Sequence, residues 1–148
     1  MPPERRSVVI TGIGPVTAAG VGVEALQAGL RSCRSPVASV TRFDSDPFRS
    51  HMAAEIPDFD PRAYMDAKQA RRLDRFVQFA LASARLAIED AALDTESLDP
   101  SRTAVEMGSA MGGIAHAEVQ LRDYIAGGAR NIDPRLATTT FAGAASCH

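Results

Sequence analysis

Leu73, Phe76, Val77, Ala80, Ala84, Ala87, Ile88 and Ala91 follow one another at spacings of three and four, the repeat of a single helix face. No other feature restricts the fold as much. Most of these side chains are methyl groups, so the helix must lie close against something broad, such as a sheet. Asp66 stands where an N-cap is needed, and Gln69 follows three residues later, a variant of the capping box. The pattern predicts one helix from about Ala67 to Ala92, ended by the turn material of Asp94–Pro100.

Short apolar runs stand on either side of this helix. Ser7–Thr11 and Thr103–Gly108 each stop at a glycine and read as buried strands. Val23–Leu30 is a modest helix closed by "RSCRSP", and residues 36–62 are irregular, with a short strand at Met52–Ile56. Ile114, Ala117, Leu121, Tyr124 and Ile125 share the face of a further helix, with Gly127-Gly128 as its stop. "RLATTTFAGAASCH" is a run of small residues that suits one tightly packed helix. Strand and helix in alternation predict a parallel α/β sheet.

The glycines of "VVITGIGPVTAAGVG" raise the question of a phosphate cradle. A dinucleotide fingerprint needs a third glycine where Thr17 stands, and Pro15 lacks the N–H that a phosphate would use. A P-loop fails too, because Val21 occupies the place of the required lysine. The stretch reads as a strand followed by a turn-rich loop.

Composition excludes further classes. A net charge of −2, with 45% hydrophobic and 23% charged residues, suits an ordinary globular domain and disfavours nucleic acid as the main partner. No run has the length of a membrane span, and the basic Met1–Arg6 start is not followed by a signal-peptide core, so a cytoplasmic location is expected. Cys33 and Cys147 are too few for a disulfide framework. His51, His116 and His148 have no neighbour at ligand spacing, so no metal site is expected. His51 and His116 read as surface or ordinary packed residues. The chain also stops at His148 inside a helix-like run with no capping signal, which suggests a piece of a longer protein.

Five segments in order carry a resemblance: "RRSVVITGIGPVTAAG", "RFD", "KQARRLDRFVQFALASARLAIEDAAL", "MGSAMGGI" and "GGARNIDP". Together they resemble the start of a β-ketoacyl-acyl carrier protein synthase, an elongating condensing enzyme of the thiolase-like superfamily. The resemblance implies an α/β fold, the N-terminal part of the first half of a thiolase-like αβαβα sandwich. In that family the first glycine loop is structural. It also implies a decarboxylating Claisen condensation in fatty-acid or polyketide synthesis. There a cysteine thiolate takes an acyl group from a carrier-protein thioester, and two histidines assist decarboxylation of malonyl-carrier protein and hold the enolate oxygen. No cofactor is implied beyond the carrier's phosphopantetheine, and the partners are an acyl carrier protein and a second subunit of a homodimer.

The resemblance places the nucleophilic cysteine and both histidines beyond His148, so this chain by itself is expected to be inactive. Cys147 comes one element too early and reads as a small packed thiol. Met111 matches a residue that gates the acyl pocket, and Leu136 and Ala137 match residues that line it from the partner subunit. Family members often carry an aromatic residue in place of Leu136 and a proline in place of Thr138. Lys68, Arg71, Arg72 and Arg130 match residues that meet the acidic carrier protein. With Arg75, the first three form a basic cluster at the N-terminal end of the long helix, where cations oppose the helix dipole. A solvated face is the simpler reading of those charges, and an acidic partner would account for their cost. Two other readings remain open: a non-catalytic chain-length-determining partner of the same fold, and a degenerate binding fragment.

Overall fold

Helix α3, Arg75–Asp90, is the element around which the rest is arranged. The computed structural model describes residues 7–148, and the Met1–Arg6 start lies outside the described residues. Val77 and Ala80 of α3 meet Ala144 and Ala145 in the core, with Leu73, Phe76 and Leu81 packed around them. Val77 is fully buried, a contribution of about 1.5–3 kcal/mol from removing its side chain from water.

Another side of α3 carries the glycine loop. A Cβ added to Gly12 would overlap the carbonyl oxygen of Ala87, and one added to Gly14 would overlap that of Ser83. These glycines therefore let one backbone lie directly on another, and the absence of a phosphate fingerprint is consistent with that use. Ser83 Oγ donates to the Gly14 carbonyl and the Ile13 N–H donates to Asp90 Oδ2 at 2.9 Å, which fastens the loop along the helix. Next comes a small antiparallel hairpin, β1 Val16–Thr17 with β2 Gly20–Val21, closed by a bond from Thr17 Oγ1 to the Gly20 carbonyl. Gly22, at φ 85°, then caps α1, Val23–Arg31.

The predicted helix over 67–92 is two helices. α2, Ala67–Arg72, begins on the expected Asp66–Gln69 capping box. Leu73 is extended, at φ −95° and ψ 139°, and Asp74 caps α3 by accepting from the Phe76 N–H at 3.0 Å. The Gln78 amide donates to the carbonyls of Ala70 and Leu73, supplying partners that the end of α2 would otherwise lack. A second cap inside an unbroken apolar stripe explains both the break and why the spacing alone conceals it.

The parallel sheet is also corrected. Among the described residues the strand pairings are two antiparallel ones, β1 with β2 and β3 Ala38–Ser39 with β4 Met52–Ala53. The strand expected at Met52–Ile56 is thus shorter, and those expected at Ser7–Thr11 and Thr103–Gly108 form no ladder. A strand exists only with a hydrogen-bonding neighbour. Val8, at 94% exposure, and Val105, at 69%, find none here.

Helix α4 covers Ile114–Gly127 and stops at Gly128, at φ 76°, as the sequence predicts. The small-residue run is not one helix. α5, Leu136–Thr140, is broken at Phe141 and followed by a 3-10 turn over Ala142–Cys147. Three consecutive threonines lower the helix preference there. Their hydroxyls turn back to the carbonyls of Arg135 and Leu136.

Candidate functional site

Short helices α2 and α5 face each other across a cavity of about 610 Å³. Asp66, Lys68, Gln69, Arg72 and Leu73 line one side; Arg135, Thr138, Thr139, Phe141, Cys147 and His148 line the other. Lys68 and Arg72 are four positions apart, so α2 presents both to the same opening. Both are exposed, and neither joins an ion pair among the described residues.

The third cation, Arg135, is held in place. Its guanidinium meets Asp133 Oδ2 at 2.7 Å and Oδ1 at 3.1 Å. That contact, with the bond from the Arg135 backbone N–H, holds the Asp133 carboxyl down at about 2. Buried Gln120 of α4 accepts from the Asp133 N–H at 2.6 Å, so the α4 body sets the position of the turn carrying Arg135. The arrangement offers positive charge at the rim of a partly apolar recess. It suits an anionic partner carrying a flexible, partly apolar group.

The residues marked by the sequence are only partly brought together. Arg71 is absent from the cavity lining and borders a separate recess with Asp60, Pro61 and Arg62. Arg130 lies exposed in the 3-10 turn Ala129–Asn131 that follows α4, and lines neither recess. Arg75 is half-buried: its guanidinium lies 4.7 Å from the Phe79 ring centre and 5.6 Å from that of Phe59, and it donates to the Ile56 carbonyl. Burial first, and the charge of Arg42 second, lower its pKa. The dipole argument also changes sign for Arg71 and Arg72. Because the helix ends at Arg72, they occupy its last turn, where cations are favoured.

Met111 sits on the Gly108–Gly113 turn at 67% exposure, so it does not fill the core. Leu136 is half-buried and lines a cleft of about 290 Å³ with Leu121, Tyr124 and Ile132, while Ala137 is exposed. Met111 lines neither that cleft nor the larger cavity. Cys147 is not a packed thiol: Ala144 and Ala145 take the core positions of its turn, and Cys147 is exposed at the cavity.

Sequence reasoning missed Asp133, Gln120 and Asp74. A signal for the first was present, since Asp60-Pro61-Arg62 and Asp133-Pro134-Arg135 repeat one tripeptide. In both, the arginine folds back onto the aspartate through Nε and a terminal nitrogen.

Comparison with known proteins supplies the family. Residues 5–148 match the family described as Beta-ketoacyl synthase, N-terminal domain. The 3-oxoacyl-[acyl-carrier-protein] synthase 2 of Coxiella burnetii is 40% identical over 131 residues, 88% of this chain and 32% of the relative. Among solved structures, "The ishigamide ketosynthase/chain length factor" aligns with TM-score 0.83 and 36% identity, covering 96% of this chain and 36% of its own. A second, a type II PKS acyl-carrier protein in complex with its ketosynthase bound to the hexaketide, aligns with TM-score 0.78 and 25% identity, covering 97% and 37%. The chain spans about a third of the length of these relatives. With a fold that is mostly helix and partly strand, and a match that runs nearly end to end, the chain belongs to the β-ketoacyl synthase N-terminal domain family.

Proposed function

We propose that this chain is the N-terminal binding portion of a condensing enzyme, one that joins an acyl-enzyme to malonyl-acyl carrier protein by decarboxylating Claisen condensation. In this reading the nucleophilic cysteine and both histidines belong to sequence beyond His148, and the chain supplies carrier docking and part of the acyl pocket. The supporting observation is the cavity of about 610 Å³, with Lys68 and Arg72 at its rim, in no ion pair among the described residues, and Arg135 fixed beside them. An acidic carrier surface would meet the exposed charges, and the phosphopantetheine arm would enter the recess. Lys68 and Arg72 are the docking residues that face this opening. Arg71 and Arg130 act as outlying contacts. Met111, exposed on its glycine turn, gates the acyl chain, and Leu136 and Ala137 complete the pocket across a dimer.

The test is Lys68→Glu with Arg72→Glu in the full-length protein. Carrier-bound substrate should lose at least tenfold in kcat/KM, whereas a small acyl thioester loses little, and the difference should shrink at high salt. Equal losses for both substrates would refute the docking role.

A second reading has one observation in its favour. The aligned ishigamide structure includes a chain length factor. A chain-length-determining partner of the same fold, working in a heterodimer, would use the same docking face without a nucleophile. The residue at the nucleophile position beyond His148 separates the two readings.

A further inference from the structure

Asp74 uses both oxygens of one carboxylate for different elements. Oδ1 accepts from the Phe76 N–H at 3.0 Å and caps α3; Oδ2 accepts from the His116 N–H at 3.2 Å, in the first turn of α4. Asp74 and His116 are 42 apart in sequence. Between them, the Phe76 ring comes within 3.4 Å of where a Cβ on Gly113 would stand, so the glycine turn rests on the start of α3. The Gly113 N–H is held on its other side by the Thr140 carbonyl at 2.9 Å. α4 has no side-chain cap of its own, because its N-cap residue is Gly113. The carboxylate of Asp74 therefore supplies a partner that the α4 N-terminus lacks, and its negative charge lies where the positive end of the helix dipole favours it.

We propose that Asp74 is a positioning residue that ties the α2–α3 junction to the glycine turn carrying Met111, and so fixes the acyl gate relative to the carrier-docking helix. The tie itself rests on the geometry above. Its effect on substrate choice rests on the reading of Met111 as the gate. Lys68 and Arg72 lie on the helix that ends just before Asp74, so docking face and gate meet at this carboxylate. A single acceptor cannot do the same work. In Asp74→Asn one oxygen remains for one N–H, and the amide NH₂ faces the other N–H, donor against donor.

The test uses the full-length protein with Asp74→Asn, Asp74→Ala and, as a control on the gate, Met111→Ala. Amide hydrogen exchange is read in peptides covering 113–124 and 67–73, beside initial rates with short and long acyl primers. Asp74→Asn is expected to speed exchange in 113–124 about tenfold, as losing one hydrogen bond to a charged group would, and to leave 67–73 unchanged. It is also expected to shift the long-to-short primer ratio in the same direction as Met111→Ala, with Asp74→Ala more severe. Unchanged exchange in 113–124, or a rise spread evenly over the whole protein, overturns the tie. Faster local exchange with no change in primer ratio, while Met111→Ala does change it, overturns the positioning role. If Met111→Ala leaves the ratio unchanged, the gate reading fails, and the exchange data alone decide the tie.

Discussion

The Gly14 carbonyl accepts a hydrogen bond from the Ser83 hydroxyl, at a point where the two backbones come so close that a methyl group on Gly14 would overlap the Ser83 carbonyl oxygen. Gly14→Ala should therefore push the loop off α3. A loss of about 2–3 kcal/mol is expected from overpacking against backbone that cannot give way. Gly22→Ala is the comparison. Nothing lies within 4 Å of its added Cβ, and its φ of 85° alone sets the cost, about 1–2 kcal/mol. Denaturant unfolding of the two variants in the full-length protein checks the order. A milder effect at Gly14 than at Gly22 would contradict the close approach.

Asp133 predicts a pH dependence. Its hydrogen bonds from the Arg135 side chain, and then from the Arg135 backbone, lower its carboxyl to about 2 in the fold. A carboxylate whose folded pKa is depressed contributes stability that is fully present above its unfolded pKa, near 4, and is lost as pH falls toward the folded value. The window is therefore roughly pH 4 to 2. Carboxyl NMR should show Asp133 titrating near the low end of that window in the wild type. In Arg135→Ala it should move up toward the ordinary carboxylate range. An unmoved value in the variant would rule out Arg135 as the cause.

Met111 supplies a size test of the acyl gate. Its flexible, unbranched side chain can swing aside, and a rigid phenylalanine cannot. Met111→Phe in the full-length protein should slow long-chain primers at least tenfold while short primers, malonyl decarboxylation and the melting temperature stay nearly unchanged. At 67% exposure the site leaves room for the larger ring without core strain. A uniform fall across primer lengths with a lower melting temperature would return Met111 to a packing role.

Local signals in the sequence proved the most legible. The Asp66–Gln69 box, the start of α1 at Val23 and the glycine stop of α4 sit where cap and stop residues place them, because such signals act within a few residues. Pairing was not legible in that way. Ser7–Thr11 has the composition of a strand, but a ladder depends on a neighbour that composition does not name. Asp74 was hidden by its context: Leu73, Phe76 and Val77 keep the apolar stripe in phase across the break, so periodicity continues where the hydrogen bonding stops. Arg75 was read with the exposed cluster by spacing, although Phe79 one turn later marks a stacking partner. The 610 Å³ cavity was out of reach, since it joins residues 66–73 to 135–148.

Acyl-adduct mapping tests the central claim most directly. The full-length protein is incubated with an acyl-carrier protein thioester, digested, and its acylated cysteine located by mass spectrometry, in the wild type and in Cys147→Ala. A condensing enzyme whose N-terminal chain binds while later sequence reacts predicts an adduct on a cysteine beyond His148, formed at similar rates in both proteins. An adduct on Cys147 itself, abolished by Cys147→Ala, would contradict that division of labour, and no adduct in either protein would contradict condensation and leave the chain-length partner in its place.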